Sequence, residues 1–280
     1  MLNSGHNLKI LDDGDIETIW ESIFFALWYA EMGRGCEEII AAVERACAAS
    51  YRLTRVGLIT VSKKWYGLDQ YRIDKVSHLA RHLLTVLLSH QVKLWLRSCR
   101  KSKKLGTQDI YCRQLLKRTL LDVAQSYGLC YFILEILAEE ITKTLTSEYE
   151  KLDITVARFE LKANLIVFIY KQTISFVART HLDTRLLKTF DQYVIKKFLE
   201  DVLPNESQLT QILISLRMHQ AFSSNAENPR NPSSGRCKAM LLRWSTVFQD
   251  VHEKCINSEY FPASTLPTKS SIQTRQPLSI

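Results

Sequence analysis

Ile16-Glu17-Thr18-Ile19-Trp20-Glu21-Ser22-Ile23-Phe24-Phe25-Ala26-Leu27-Trp28 decides the fold class. Its apolar residues return at steps of three and four, which lines one broad face of an α-helix and does not fit the alternation of a strand. Asp13 and Asp15 stand just ahead of the run and are candidate N-terminal caps. A helix this apolar needs other elements to cover it.

The same period recurs along the chain. It appears in Ile39, Ala42, Val43 and Ala46, and again in Ile73, Val76, Leu79, Ala80, Leu83, Leu84 and Leu87 after the breaker Gly67. Further helical segments are predicted over Gln108 to Ser126, Leu129 to Leu145, Arg158 to Arg179, Thr184 to Val202 and Glu206 to His219. All six prolines lie at or after Pro204, so nothing before that point interrupts a helix interior. The short joints favour antiparallel neighbours, and the expected architecture is all-α: eight to ten helices in stacked αα-hairpins, an irregular HEAT-like helical-repeat domain over residues 1–220. No repeat of fixed period is visible.

Residues 221–236 are rich in Ser, Asn and Pro and read as a flexible linker. Residues 237–256 place Met240, Leu241, Trp244, Val247, Phe248 and Val251 at helical spacing, a tethered amphipathic helix that docks either on its own domain or on another protein. Residues 257–280 read as a disordered Ser/Thr/Pro tail.

The 280 residues are 46% hydrophobic and 24% charged, which excludes wholesale disorder. The first fourteen residues carry one Lys and no apolar core, so neither a secretory signal nor a transit peptide is expected. The longest apolar runs, Ile23 to Ala30 and Leu165 to Tyr170, fall well short of the roughly 18 to 20 residues of a membrane span. Seven cysteines without a C-x-x-C pair read as free thiols in a reducing compartment.

Charge is concentrated. Between Lys93 and Arg118 nine basic residues face one acid, Asp109, a net of +8 that accounts for the whole-chain value of +8. Its densest part holds Arg97, Arg100, Lys101, Lys103 and Lys104, a platform for phosphate groups and the candidate RNA-binding site. The bland alternative is a solvated turn whose cations complement a helix C-terminus.

Catalytic signatures are missing. There is no Gly-rich phosphate loop and no G-x-S-x-G elbow, so no enzymatic activity, cofactor or small-molecule substrate is expected. His78 and His82 share a helix face without the Glu of a zinc-protease motif, and read as surface or core-edge histidines. The adjacent pairs Glu37-Glu38 and Glu139-Glu140 point about 100° apart on a helix and read as solvated faces. The segment Lys64-Trp65-Tyr66-Gly67-Leu68-Asp69-Gln70-Tyr71-Arg72-Ile73-Asp74-Lys75 mixes aromatic and charged groups around a helix start. Trp65, Asp69, Arg72, Asp74 and Lys75 are a candidate partner surface; the structural alternative has Asp69 capping the helix while Arg72 and Asp74 pair with neighbours.

These residues resemble the ribosomal RNA processing protein 1 family. Ile19-Trp20 with Ile23-Phe24-Phe25-Ala26-Leu27-Trp28 is similar to the family's opening helix. The stretch Lys64 to Lys75 resembles its most specific signature, an "EW.GIDRLRLDK" pattern. Phe132 to Lys143 resembles its "FIEIFLEELTK" stretch, and Phe168-Ile169, Ala178-Arg179-Thr180 and Leu186-Leu187 resemble a later helix pair, all in order from residue 15 to about 201. The resemblance implies a non-enzymatic scaffold in the nucleolus and nucleus. It would support rRNA precursor processing in the pre-60S particle, with assembly factors and precursor rRNA as partners and no membrane. The other expectation from the residues alone is a helical-repeat protein-protein adaptor without RNA binding.

Overall fold

The computed structural model describes residues 12–100, 114–124, 126–150, 158–179, 184–229 and 234–257. Among them ten α-helices and no strand are found: α1 (Asp13–Tyr29), α2 (Arg34–Ala49), α3 (Tyr51–Lys64), α4 (Ile73–Arg100), α5 (Leu115–Val123), α6 (Tyr127–Glu150), α7 (Arg158–Arg179), α8 (Thr184–Thr189), α9 (Gln208–Glu227) and α10 (Gly235–Asn257). None of these helices is long and apolar enough to cross a membrane.

The cap of α1 is Asp12 rather than Asp13 or Asp15. Its carboxylate accepts from the Asp15 amide at 2.8 Å, while the Asp15 carboxylate accepts from the Asp12 amide at 3.3 Å, a reciprocal capping box. Ile16, Trp20, Phe24 and Leu27 then form the buried stripe. The Trp20 indole donates to the Leu53 carbonyl at 2.9 Å and lies against Gly57 of α3, where any Cβ would clash with it. Cys36, Ile40, Val43 and Cys47 form the buried face of α2, and Ser50 both ends α2 and caps α3 by accepting from the Leu53 amide.

Not all neighbours are antiparallel. Arg81 meets Glu139 and Glu140, Thr85 meets Glu140, and Lys93 meets Glu148, so α4 and α6 advance in the same direction side by side. The short α5 returns the chain between them. At its start the Leu116 amide donates to Gln91 of α4, and at its end the Val123 carbonyl accepts from Ser62 of α3. Antiparallel pairing does hold for α9 and α10, where His219 reaches Ser245, Ser215 reaches His252, and Gln208 reaches the Cys255 carbonyl.

The chain from Phe190 to Val202 winds mostly as wide π turns, with Phe190, Val194, Phe198 and Val202 buried. A file of rings crosses from there into the last helices: Tyr170 to Phe198 at 4.4 Å, Phe198 to Phe248 at 6.0 Å, and Phe248 to Phe222 at 5.6 Å. The linker expected over residues 221–236 is therefore helical in its first part. α9 runs to Glu227, with Ala221, Phe222 and Ala226 buried at helical spacing. Of the two fates open to residues 237–256, the structure has the helix packed on its own domain: Cys237, Leu241, Trp244 and Phe248 belong to the same core that begins at Ile16.

Candidate partner and nucleic-acid surfaces

The signature stretch sits where α1 ends and α4 and α6 begin. Trp65 leaves α3 in a single 3-10 turn and stacks on Phe132 of α6 with ring centres 5.8 Å apart. Gly128 makes room for it, since a Cβ there would stand 2.4 Å from the indole. Asp69 caps α4: one carboxylate oxygen accepts from the Tyr71 and Arg72 amides at 3.0 Å each, and the other pairs with the Arg72 guanidinium. Arg72 lies over the Trp28 ring at 4.1 Å, a cation-π contact that ties α4 to α1.

Lys75 is 6% exposed and serves the end of α1. Its ammonium donates to the carbonyls of Leu27 at 3.0 Å, Trp28 at 3.1 Å and Ala30 at 2.7 Å. Those are carbonyls that a helix end leaves without intrahelical partners, at the negative pole of its dipole. As a partner surface this set needs correction: Lys75 is enclosed and Trp65 is packed between helices, while Asp69 and Arg72 are engaged with each other and with their own domain. Asp74 is exposed on the first turn of α4. What this end offers outward is aromatic, namely Tyr29, Tyr66 and Tyr71 at 70 to 78% exposure, with Met32 beside them. Sequence spacing offers no means of separating these from Trp65, because all lie in turns or at a helix end, where the helical period stops.

Further along α4, His82 Nδ1 donates to Glu44 at 2.8 Å and its Nε2 meets His78 Nε2 at 3.0 Å. No group of three or more His, Cys, Asp or Glu able to hold a metal occurs among the described residues. Glu140 departs from the solvated reading: it is buried and accepts from Arg81 at 3.1 Å and Thr85 at 2.8 Å, whereas Glu139 faces Lys143 on the surface. A shallow cavity of about 270 Å³ lies between α6 and the π turns, lined by Glu139, Lys143, Lys197 and Asp201, where acids and bases alternate without converging on one point.

At the other end of α4 basic residues gather. Arg97 is exposed. Arg100 closes the helix, with its side chain outside the described residues, and Lys101, Lys103 and Lys104 lie outside them as well. Lys93 leans on the nearly buried Glu148 at 3.7 Å. The start of α5 and the last turn of α7 bring in Lys117, Arg118 and Arg179, which the sequence reading did not include among the RNA-binding candidates. Burial, and then the nearby Arg179 and Arg118, hold the Lys117 ammonium below the ordinary lysine range. The Lys117 amide donates to the Gln172 carboxamide oxygen at 3.3 Å, beside the bond from Leu116 to Gln91.

Stacked helices with an aromatic end and a cationic end define an all-α helical-repeat protein. Residues 1–230 match the family described as nucleolar protein Nop52, and the chain belongs to that family. The resemblance to ribosomal RNA processing proteins is thereby established, and with it a tie to nucleolar ribosome biogenesis. Comparison with curated proteins finds no match.

Proposed function

We propose that the protein is a non-enzymatic scaffold of the pre-60S particle, residing in the nucleolus, which touches precursor rRNA at its cationic end and assembly factors at its aromatic end. The observation that carries this reading is α4 itself. From Ile73 to Arg97 the helix rises 1.5 Å per residue, about 36 Å in all. One rigid element thus holds two chemically distinct surfaces apart. Phosphate contacts at the basic end supply position and affinity without sequence readout, and exposed tyrosines at the other end suit protein contacts, where large amphipathic rings are enriched.

The test is affinity purification of the tagged full chain from its own cells at moderate salt, with the bound RNA probed for large-subunit precursor. A variant with Arg100, Lys101, Lys103 and Lys104 all changed to Glu is run in parallel. Precursor recovered with the wild type and reduced with the variant supports both the scaffold reading and the RNA contact at the cationic end. Equal recovery moves the attachment to proteins alone. No recovery in either sinks the particle assignment and favours the adaptor without RNA.

A further inference from the structure

On the outward face of α4, His78 and His82 stand one helical turn apart, His78 exposed and the His82 side chain 34% exposed. Their Nε2 atoms are 3.0 Å apart. Their ring centres, at 4.7 Å, are closer than two imidazoles aimed head-on across that gap would be. At least one ring is therefore inclined to the line between the nitrogens, which weakens a hydrogen bond along it and suits lone pairs that converge on a third atom. An imidazole nitrogen sits about 2.0 to 2.1 Å from a bound zinc, so two nitrogens 3.0 Å apart subtend roughly 91 to 97° at a shared ion. That is close to the right angle between neighbouring ligands of a tetragonal copper or nickel site, and a slight opening of the pair reaches the tetrahedral angle of zinc.

The surroundings prepare the pair for a cation. His82 Nδ1–H donates to Glu44 of α2 at 2.8 Å, which leaves the Nε2 of a neutral His82 unprotonated and aimed at His78. A carboxylate behind an imidazole in this way fixes its tautomer and raises its basicity as a ligand. Glu37, on the same helix as Glu44, acts on His78, and the opposing Arg81 is engaged by Glu139 and Glu140. We infer that His78 and His82 chelate one late first-row divalent cation, of the class of Cu2+, Ni2+ and Zn2+, with Glu44 orienting His82. The ion takes the place of the proton that the two Nε2 atoms otherwise share. Two protein donors leave the other coordination positions to water, so the site is open and exchangeable, unlike the closed four-donor sites of structural zinc. Binding alone is assigned to it, and no hydrolysis.

The untagged full chain is titrated with Ni2+ and with Zn2+ by calorimetry, and Cu2+ is added at less than one equivalent for electron paramagnetic resonance. One ion should bind per chain, Cu2+ most tightly, and the Cu2+ spectrum should carry the hyperfine pattern of two nitrogens. His78→Ala and His82→Ala should each weaken binding about a hundredfold, because either one removes an arm of the chelate. Glu44→Gln should weaken it about tenfold, and His90→Gln, on the same helix, should leave it unchanged. These histidine and glutamate positions lie at the surface of α4 and α2 or at its margin, and circular dichroism checks that each variant keeps its helices. Wild-type affinity retained in both His78→Ala and His82→Ala overturns the site and hands the ion to other donors such as the cysteine thiols. A wild type that binds none of the three ions overturns it too, and leaves His78 and His82 as a proton-sharing pair. A Cu2+ spectrum with a single nitrogen overturns the chelate, and an unchanged affinity in Glu44→Gln overturns the orienting role of Glu44.

Discussion

The indole of Trp20 occupies the space that a side chain on Gly57 would need: a Cβ there would stand 2.2 Å from the ring. Trp20 is 1% exposed and held through its N–H to Leu53, so it has no direction in which to retreat. Gly57→Ala gains about 0.5 to 1 kcal/mol of helix preference but forces an overpacked core that costs about 1 to 3 kcal/mol or more. We expect net destabilisation in urea unfolding, and partial recovery when Trp20→Phe is added. Additive losses in the double variant would show that the two residues are not coupled.

Lys75→Met should cost about 1 to 3 kcal/mol, because it strips charge-assisted hydrogen bonds from three carbonyls at a buried helix end. Burial pushes the Cys36 thiol up, and the Lys75 charge partly offsets that rise. The variant should therefore also alkylate more slowly at Cys36 under native conditions. Unchanged stability would mean that water replaces the ammonium at no penalty.

Phe248→Ala should cost about 3 to 5 kcal/mol, as for any large ring removed from a core, because the ring lies between Phe198 and Phe222 with no exposed surface. A tethered helix only loosely attached to the domain would instead unfold in a separate transition that leaves the main one untouched. Denaturant unfolding followed by tryptophan fluorescence and by circular dichroism distinguishes these outcomes.

Acid should weaken the fold through histidine. His90 Nε2–H donates to the Cys47 carbonyl at 2.8 Å, and burial, aided by Lys93 and Arg97, keeps its pKa below 6.5. His78, close to His82, is lowered too, again first by burial. A depressed folded-state pKa means that the unfolded chain binds more protons just below pH 6.5. Stability is thus full above that value and falls as pH drops toward the folded-state pKa values. His90→Gln should flatten this dependence, and an unchanged slope would assign it to other groups.

How much of this was legible in the sequence follows from what periodicity encodes. The stripe Ile16, Trp20, Phe24 and Leu27 and the run from Ile73 to Leu87 announce helices and the faces they bury. They do not say which helix covers each face, so the parallel course of α4 and α6 emerges only from pairs such as Arg81 with Glu140 and Lys93 with Glu148. Composition misled at residues 221–236, where Ser223, Ser224 and Asn225 suggest a linker although Ala221, Phe222 and Ala226 keep the helical step. Lys75 looked available because lysine is almost always exposed, and only the carbonyls at the end of α1 explain why it is not. The cationic end was legible as charge, but the part contributed by Arg179 comes from α7, more than sixty residues beyond Lys117, and no local pattern connects them.

The ring file from Tyr170 through Phe198 and Phe248 to Phe222 also dictates an order of events during synthesis. Elongation proceeds at about 5 to 20 residues per second, so roughly fifty residues separate the appearance of Phe198 from that of Phe248 by several seconds. Through that interval the growing chain carries apolar rings with no cover. The second half of the domain therefore depends on α10 to complete its burial.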